Sequence, residues 1–358
     1  MRLALFFLGA CAASGPGPHD GGGDAPADVG VDVATDTPDA FVVPDGGPGE
    51  CAPPPSCDVP VPEIEQGEWR HTSTSFTTAM GGPRHRGHDL HLRAGESAWA
   101  LAKFAYGGGD DDLEDEDVEV WLLRNCEGEW QRLATIPTTE TDGQHEDVFD
   151  VTDTEGWVFH EIGPLPEGRH RVHFIVRGDL STTDQYIDVL APADRVVISD
   201  VDGTLTESET SEFITLLSGP SPEAQPGSPE LYWSFVRRGY RLYYVSARPH
   251  WLATRTHEWV AERGYPPGLV RVTQTQTGIF GSAAVEFKSA VLADLAERVE
   301  LVPEWAFGNK ESDAEVFAGA EVPNRMLYQL DGDHFGGRAF DDYADLADEV
   351  AALPLVCR

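Results

Sequence analysis

Between residues 69 and 192, the hydrophobic positions come in short runs that Gly, Pro and acidic turns separate. The runs are rich in β-branched and aromatic residues, which is typical of strands. We predict strands at 98–106, 118–125, 130–137, 156–162, 170–177 and 186–191. No stretch of helical periodicity interrupts them. This part of the chain, residues 58–192, is therefore predicted to form an all-β sandwich domain of immunoglobulin-like size.

After residue 192 the pattern changes to short apolar strands that alternate with amphipathic helices. The strands are predicted at 195–199, 242–246, 270–273, 305–308 and 326–329, and the helices at 229–238, 252–263, 286–298, 313–320 and 343–353. Such alternation predicts parallel strands with helices on both faces of the sheet. Residues 193–358 are therefore predicted to form a doubly wound α/β domain. Domains of this class place their sites at the carboxyl ends of the strands.

The N-terminal residues 1–11 have the pattern of an export signal, with Arg2 before a short apolar stretch at 3–8 that is too short to span a membrane. The stretch closes as Leu8-Gly-Ala-Cys11, which resembles the lipobox of bacterial lipoproteins. The resemblance implies a lipid on Cys11 and export to a bacterial membrane, on the periplasmic or surface face of the outer membrane. The alternative is an ordinary secretory signal with a chance cysteine.

Residues 12–57 are dominated by Gly, Pro, Asp, Ala and Thr, and we predict a disordered tether there. Beyond Cys11 the chain has four cysteines, and in an exported protein four permit two disulfides: Cys51, Cys57, Cys126 and Cys357. Distance along the sequence favours Cys51 with Cys57 and Cys126 with Cys357. Other pairings stay open, as do free buried thiols.

The net charge of the chain argues against some classes of binding partner. With 62 acidic and 25 basic residues, the formal net charge is -37. Nucleic-acid binding relies on basic residues that neutralise phosphates, so the composition excludes that class of partner. Unaided adsorption to anionic lipid is disfavoured for the same reason.

Polar residues of one chemical kind follow several of the predicted α/β strands. Asp200 and Asp202 come directly after the first strand, where two carboxylates are costly unless a cation or a reaction uses them. Ser246 follows the second strand, and a hydroxyl beside a helix start can hold a phosphate oxygen. Lys288 begins a helix in a chain with only three lysines, and its charge suits a phosphate. An acidic turn is the plainer interpretation of Asp200 and Asp202 taken alone.

The fourth strand ends in Gly308-Asn-Lys-Glu-Ser-Asp313. Asn309 and Asp313 offer oxygen ligands of the kind that Mg²⁺ takes. The sequence therefore predicts that carboxylates, a hydroxyl, a lysine and an amide meet at one edge of the sheet.

The ordered set Asp200-Val-Asp-Gly-Thr-Leu-Thr206, Val245-Ser-Ala-Arg248, Phe287-Lys288 and Phe307-Gly-Asn-Lys310 resembles the four motifs of the haloacid dehalogenase (HAD) superfamily of phosphatases. Within that superfamily it is most similar to the LNS2 domain of lipins and of the Nir/RdgB phosphatidylinositol-transfer proteins. The stretch from Gly239 to Pro249 is particularly close to the Nir/RdgB branch. The resemblance covers about residues 194–335 and implies a HAD-like fold.

The resemblance also implies residue roles. Asp200 would attack phosphorus and form an aspartyl-phosphate, while Asp202 would protonate the leaving oxygen and later activate water. Ser246 and Lys288 would hold the phosphoryl oxygens, and Thr204 would orient the first loop beside them.

Mg²⁺ is the cofactor that the resemblance implies. It would lie between Asp200, the backbone carbonyl of Asp202, and Asn309 or Asp313. There it would neutralise charge, so that an anionic nucleophile can approach an anionic substrate.

The resulting hypothesis is a Mg²⁺-dependent phosphomonoesterase in a lipid-anchored protein, with phosphatidic acid as the leading substrate. The intervals between the motifs leave no room for a sizeable lid domain, which favours a bulky target such as a lipid headgroup. Two alternatives remain: a non-catalytic phospholipid-binding module, and a phosphatase that acts on a soluble or protein-borne phosphate. The presence of both Asp200 and Asp202 favours the enzyme.

Two further clusters are interpreted as structural. His85, His88 and His91 have a spacing that invites a metal-site interpretation, but a surface polar segment is favoured because no cysteine or second cluster lies nearby. The run at 110–119 is acidic at eight of ten positions. Its spacing is not that of an EF-hand, so a solvated loop is favoured over a calcium site.

Overall fold

A β-sandwich occupies the first half of the folded chain. The computed structural model describes residues 49–207 and 221–357, so the predicted signal, Cys11 and most of the predicted tether lie outside the described residues. The strands are β1 (Arg86–Gly87), β2 (Leu90–Arg93), β3 (Ser97–Lys103), β4 (Ala105–Tyr106), β5 (Asp111–Asp112), β6 (Asp117–Leu123), β7 (Gln131–Pro137), β8 (Trp157–Pro164), β9 (Gly168–Val176) and β10 (Thr182–Leu190). A five-stranded sheet has the order β2-β10-β9-β6-β7 and faces a three-stranded sheet, β1-β3-β8. The predicted β-sandwich is confirmed.

The sandwich core follows from alternation along its strands. Every second residue of β6, from Val118 to Leu122, is fully buried, and Val120 lies opposite Phe174 of β9. Gly87 is a glycine because β1 passes very close to β10: a Cβ there would lie 2.1 Å from the backbone oxygen of Asp184. One short helix, α1 (Thr74–Ala79), precedes the sheets, where the sequence predicts no helix.

The second half is a parallel sheet covered by helices. Its strands are β11 (Val196–Asp200), β12 (Arg241–Val245), β13 (Leu269–Arg271), β14 (Trp305–Gly308), β15 (Asn324–Tyr328) and β16 (Arg338–Phe340). The helices are α2 (Ser228–Arg237), α3 (Ala253–Glu262), α4 (Ser282–Val299), α5 (Glu311–Gly319) and α6 (Ala347–Ala351). The strand order is β13-β12-β11-β14-β15-β16, and all neighbours are parallel. This arrangement is compatible with the predicted HAD-like α/β fold.

Alternate residues of the central strands feed two separate cores. Val197 packs with α2 and α3 on one face, whereas Val196 and Ile198 pack with α4 and α5 on the other. Helices therefore cover both faces of the sheet, which is why its strands are apolar throughout. The buried face of α4 contains one charged residue, Lys288.

The segment from His85 to His91 lies where the sandwich packs on the α/β half. All three histidines are buried, so the prediction of a surface polar segment is wrong. Asp89 accepts a hydrogen bond from the backbone N–H of Val270, and His91 lies 2.9 Å from Asp294 of α4. A tertiary interface buries this polar segment, and its local pattern gives no sign of that. Within the described ranges, no group of three or more His, Cys, Asp or Glu side chains is placed to hold a metal ion.

The acidic run at 110–119 is also more than a solvated loop, in contrast to the prediction. Asp110 is buried against Arg86 in a two-pronged ion pair. Glu116 accepts hydrogen bonds from the backbone N–H groups of Arg70 and His71. The excess of acid thus includes specific structural anchors for neighbouring segments.

Two disulfides link the segment from Cys51 to Cys57 to other parts of the described chain. Cys51 is bonded to Cys357, and Cys57 is bonded to Cys126. The predicted pairing, Cys51 with Cys57 and Cys126 with Cys357, is therefore wrong, because distance along the sequence does not report distance in space. The predicted tether reaches residue 57, yet the structure already fixes the chain at Cys51. Across the part of the chain that the structure describes, no helix has the length and apolar character needed to cross a membrane.

Candidate functional site

The candidate site lies at the carboxyl edge of the parallel sheet. Asp200 is the last residue of β11 and pairs with Val245, the last residue of β12, so Ser246 follows directly beside it. On its other side β11 pairs with β14, which ends at Gly308. Since the carboxyl ends of parallel neighbours share one edge, the structure brings these predicted site residues together, and α4 adds Lys288 from one face.

Three charged side chains form the centre of the site. The ammonium Nζ of Lys288 lies 2.5 Å from Asp200 Oδ1 and 2.5 Å from Asp313 Oδ1. All three side chains are buried. Gly308 makes room for this arrangement, because a Cβ at that position would lie 2.4 Å from the Cβ of Asp313. The glycine of the fourth motif thus lets the Asp313 side chain pass behind the strand end.

In this centre, one buried cation, Lys288, is shared by two buried carboxylates, Asp200 and Asp313. Burial raises the pKa of Asp200 to about 6; the charge of Lys288 opposes that shift, and Asp313 and Asp202 add to it. Burial alone would lower the pKa of Lys288, but Asp200 and Asp313 together raise it above its ordinary value. Lys288 is therefore a permanent cation at neutral pH.

Thr204 and Asn309 complete the rim around Asp200. The Thr204 hydroxyl donates to Asp200 Oδ2 at 3.0 Å and lies 3.2 Å from the amide oxygen of Asn309. Tyr343 donates a hydrogen bond to the backbone oxygen of Thr204 and holds that loop from behind. The structure thus places Thr204 beside Asp200, and its role in orienting the first loop stays a prediction.

The second carboxylate, Asp202, is engaged by a residue to which the sequence assigned no role. Arg248 donates to Asp202 Oδ1 through Nε at 3.0 Å and through Nη2 at 2.8 Å. Its Nε also lies 3.1 Å from Asp202 Oδ2, which accepts a hydrogen bond from the Ser246 hydroxyl at 2.7 Å. Arg248 is fully buried, and its third nitrogen donates to Thr256. Ser246 is thus occupied in holding Asp202.

These contacts decide the protonation state of Asp202. Burial would raise its pKa, but the charge and hydrogen bonds of Arg248, together with the Ser246 hydroxyl, bring the pKa below its ordinary value. Asp202 is therefore an ionised acceptor whose oxygens already have donors. A general acid must carry a proton at the working pH, and Asp202 in this arrangement does not.

A sequence signal for Arg248 did exist. It lies in the Ser-Ala-Arg-Pro stretch directly after β12, one strand away from the paired aspartates. An arginine at the carboxyl end of a buried strand needs a carboxylate partner, and Asp202 was available.

A small cavity opens beside these groups. Its volume is about 80 Å³, on the order of a few water molecules. The charged groups Asp200, Asp202, Lys288 and Lys310 line it, and the loop from Ile279 to Gly281 forms an apolar wall. Phe280 in that wall is 59% exposed. The cavity offers two cations within reach of one small anionic group.

The donor chemistry also fits a hard divalent cation. Asp200 and Asn309 present oxygen atoms of the kind that Mg²⁺ prefers, and the backbone carbonyl of Asp202 is the predicted third ligand. Asp313 is less available: its Oδ1 accepts from Lys288, and its Oδ2 accepts the backbone N–H groups of Asn309 and Lys310. Asp200 and Asn309 are therefore the side chains that would hold the ion, with Asp313 aligning Lys288.

Comparison with known proteins places both halves of the chain. A family model described as the LNS2 domain of PITM 1-3 matches residues 197–331, and a model described as the β-sandwich domain of PITM 1-3 matches residues 83–189. Both models thus belong to one group of proteins and occur here in the order sandwich, then LNS2.

The curated relatives belong to the same group. The chain is 27% identical over 208 residues to protein retinal degeneration B of Drosophila melanogaster, which covers 57% of this chain and 15% of that protein. It is 23% identical over 272 residues to the human membrane-associated phosphatidylinositol transfer protein 1, with 75% of this chain and 20% of that protein covered. The human membrane-associated phosphatidylinositol transfer protein 3 is 22% identical over 209 residues, which covers 57% of this chain and 19% of that protein. The chain therefore corresponds to at most about a fifth of these much longer proteins.

Proposed function

We propose that this chain is a phospholipid-binding module of the LNS2 type, which recognises a phosphomonoester headgroup and hydrolyses it slowly or not at all. Phosphatidic acid is the leading ligand, because it presents a terminal phosphate on a lipid. The names of the two relatives called phosphatidylinositol transfer proteins support a phospholipid partner, and the match to the LNS2 model supports the location of the site in the second half of the chain.

One observation carries the choice of binding over catalysis: Arg248 and Ser246 hold Asp202 as an ionised carboxylate. Without a proton, Asp202 cannot deliver one to a leaving oxygen. Lys288 and Lys310 remain as cations at the cavity and suit a phosphate group. The site therefore retains cations that can hold a phosphate, while the candidate acid, Asp202, is engaged by Arg248 and Ser246.

Mg²⁺ is part of the proposal, held by Asp200 and Asn309. When bound, it would neutralise the carboxylates and let an anionic headgroup approach them. The binding of phosphatidic acid is accordingly expected to weaken when divalent metal is removed by a chelator.

A second candidate is the Mg²⁺-dependent phosphatase with Asp200 as the nucleophile. The observation that favours it is the presence of both carboxylates, Asp200 and Asp202, beside Lys288 in one cavity. A phosphatase requires Arg248 to release Asp202 when substrate enters. Phosphate release that disappears in Asp200→Asn would establish this candidate.

The experiment measures both outcomes in one preparation. The protein is mixed with neutral phosphatidylcholine vesicles that contain phosphatidic acid, phosphatidylserine or diacylglycerol, with Mg²⁺ or with a chelator. Cosedimentation reports binding and a phosphate assay reports turnover. We expect binding to phosphatidic acid vesicles alone, with negligible phosphate release; equal binding to phosphatidylserine would contradict recognition of a phosphomonoester.

Lys310→Met tests the site directly. Lys310 lines the cavity, and charge-assisted hydrogen bonds contribute about 1.5–3 kcal/mol, so binding is expected to weaken by roughly ten- to a hundredfold. Arg338→Met is the matched control, because Arg338 is an exposed cation that pairs with Glu349 outside the cavity. Equal losses in both variants would indicate non-specific charge attraction and would remove the site from the proposal.

Export and a lipid anchor on Cys11 complete the proposal. The pairing of all four cysteines of the described ranges into two disulfides supports an oxidising compartment. Anchoring would place the site beside a bilayer without relying on surface charge, which the net charge of -37 disfavours.

A further inference from the structure

The loop that presents Arg248 continues into His250, which faces the β-sandwich. His250 is buried, and its backbone N–H donates to the backbone oxygen of Thr275. Its ring stacks on Trp157 of β8, with ring centroids 5.3 Å apart and planes 19° apart. Only one residue separates His250 from Arg248. Contacts that hold the His250 ring therefore also restrain the backbone at Arg248.

A buried ion pair of the sandwich holds the other side of this ring. Arg86 of β1 donates through Nε to Nδ1 of His250 at 3.2 Å. The same guanidinium forms two hydrogen bonds with Asp110, at 2.6 and 2.7 Å. Asp110 in turn accepts a hydrogen bond from Gln276, which lies in the loop after β13. The ion pair of Arg86 and Asp110 therefore contacts two α/β loops: the loop after β12, which contains Arg248, and the loop after β13.

The backbone around Arg248 depends on the same two loops. The oxygen of Arg248 accepts a hydrogen bond from the Thr273 hydroxyl and another from the Thr273 backbone N–H. Ser246 and Arg248 then reach Asp202 from a loop that is held at both ends. A buried ion pair is expensive unless its hydrogen bonds are all used. Here Nε of Arg86 and Oδ2 of Asp110 bond to these loops, and Nη1 of Arg86 also donates to the backbone oxygen of Arg84.

We propose that Arg86, Asp110 and Trp157 of the sandwich are positioning residues, which hold His250 and thereby fix the loop that presents Arg248 to Asp202. The sandwich is then a structural part of the phosphate site. The effect on ligand binding rests on the proposed function above, whereas the fixing of Arg248 can be measured without any ligand.

A substitution at the interface could also loosen Arg248 by weakening the packing of the two halves in general. The structure offers a matched control residue for that effect. Arg169 is also a buried sandwich arginine beside an aspartate, Asp188, and donates to an α/β backbone oxygen, that of Gly268. Among the described residues, its hydrogen bonds, ion pair and ring contact go to Asp188, Gly268 and Tyr186, and none goes to the loop from Ser246 to His250. Arg169→Lys therefore perturbs the interface to a similar degree without touching the proposed connection.

The experiment measures hydrogen exchange at the Arg248 Nε–H by NMR in the full chain labelled with ¹⁵N-arginine. The signal is assigned through its loss in Arg248→Lys. Four variants are compared with the unsubstituted chain: Arg86→Lys removes the Nε donor, His250→Phe keeps a ring but removes Nδ1, His250→Asn restores an acceptor near that position, and Arg169→Lys is the control. Thermal melts establish that each variant is folded.

We expect Arg86→Lys and His250→Phe to accelerate this exchange by about tenfold or more, the equivalent of one buried hydrogen bond. Arg169→Lys should leave it within about twofold, and His250→Asn should lie close to the unsubstituted chain. Unchanged exchange in either folded test variant overturns the proposal. Equal acceleration in Arg169→Lys also overturns it, because the interface as a whole would then be responsible.

Vesicle binding in the same variants separates this inference from the proposed function. If His250→Phe loosens Arg248 and also weakens binding to phosphatidic acid vesicles, both stand. If Arg248 is loosened and the unsubstituted chain itself fails to bind the vesicles, the positioning role stands and the proposed function fails. If Arg248 is loosened and binding persists unchanged, the positioning role and the binding function both stand, and the sandwich has no part in ligand binding.

Discussion

At the scale of single residues, the site is a balance of buried charges. Three carboxylates, those of Asp200, Asp202 and Asp313, share two buried cations, Lys288 and Arg248. Each cation is placed against particular carboxylate oxygens, so the two are not interchangeable. Arg248 alone meets Asp202 with a planar fork, which a lysine cannot reproduce.

Removal of Arg248 should therefore destabilise the protein strongly. In Arg248→Met the Asp202 carboxylate loses its cation, and we expect the free energy of unfolding to fall by about 3 kcal/mol. Urea denaturation measures the change. Arg255→Met is the control, since Arg255 forms partly exposed ion pairs with Glu258 and Glu262 on α3. Such pairs are worth under about 1 kcal/mol. If the free energy of unfolding falls no further in Arg248→Met than in the control, Arg248 stabilises the protein no more than a surface arginine does.

At the scale of elements, the segment from Cys51 to Cys57 ties the two halves to each other. One disulfide connects its beginning to the C-terminal end of the chain, across a sequence separation of 306 residues. The other connects its end to the sandwich after β6, across 69 residues. The backbone N–H of Cys51 also donates to the oxygen of Arg237, at the end of α2. Disulfides and hydrogen bonds therefore hold both ends of this segment, including one from Arg171 to the backbone oxygen of Cys57.

Loss of the longer disulfide should be costly. Because cross-links stabilise by restricting the unfolded chain, we expect Cys51→Ser with Cys357→Ser to lower the free energy of unfolding by about 3 to 5 kcal/mol. The double change avoids a free thiol, and Cys57→Ser with Cys126→Ser provides the comparison for the shorter loop. Peptide mapping without reduction should recover Cys51 linked to Cys357. Recovery of a peptide that links Cys51 to Cys57 would contradict the structure.

At the scale of the whole molecule, the interface between the halves is lined with neutral histidines. Burial lowers the pKa of His85 to about 3 and lowers the pKa values of His88 and His250 well below their ordinary value. Each of these rings is protonated in the unfolded chain near pH 6.5. The unfolded state therefore binds more protons below that pH, and the folded state loses stability as the pH falls.

Stability should decline from pH 6.5 towards pH 5. Asp112 and Asp200 act in the opposite direction, because burial raises the pKa of each to about 6 and both take up protons in the folded state. The three histidines alone outweigh them by about one proton, or roughly 1.4 kcal/mol per pH unit, and His91, whose pKa burial also lowers, adds to the decline. Urea midpoints measured at intervals over this range test the expectation. His88→Asn should flatten the curve by about one proton, and a stability that rises on acidification would contradict the burial of these rings.

How far the sequence predicts this protein depends on the range of the interaction. The longer strands of the sandwich and the first five strands of the α/β sheet were predicted within a few residues, whereas β1, β2, β5 and β16 were missed because they are short or polar. Lys288 was recognised as unusual, and the structure places its ammonium against Asp200. Arg248 was present in a quoted motif, yet its partner Asp202 could not be assigned from spacing alone.

Most helices and strands, and the order of the site residues along the chain, could be predicted from the sequence, because periodicity, turn residues and strand ends are local properties. Parallel pairing then required that Asp200, Ser246 and the loop after Gly308 share one edge. Three features follow from the folded arrangement and not from local pattern: which charges meet at that edge, the burial of the segment from His85 to His91, and the bond between Cys51 and Cys357. Each of these depends on two segments far apart in the chain coming into contact, and a local pattern carries no record of the partner.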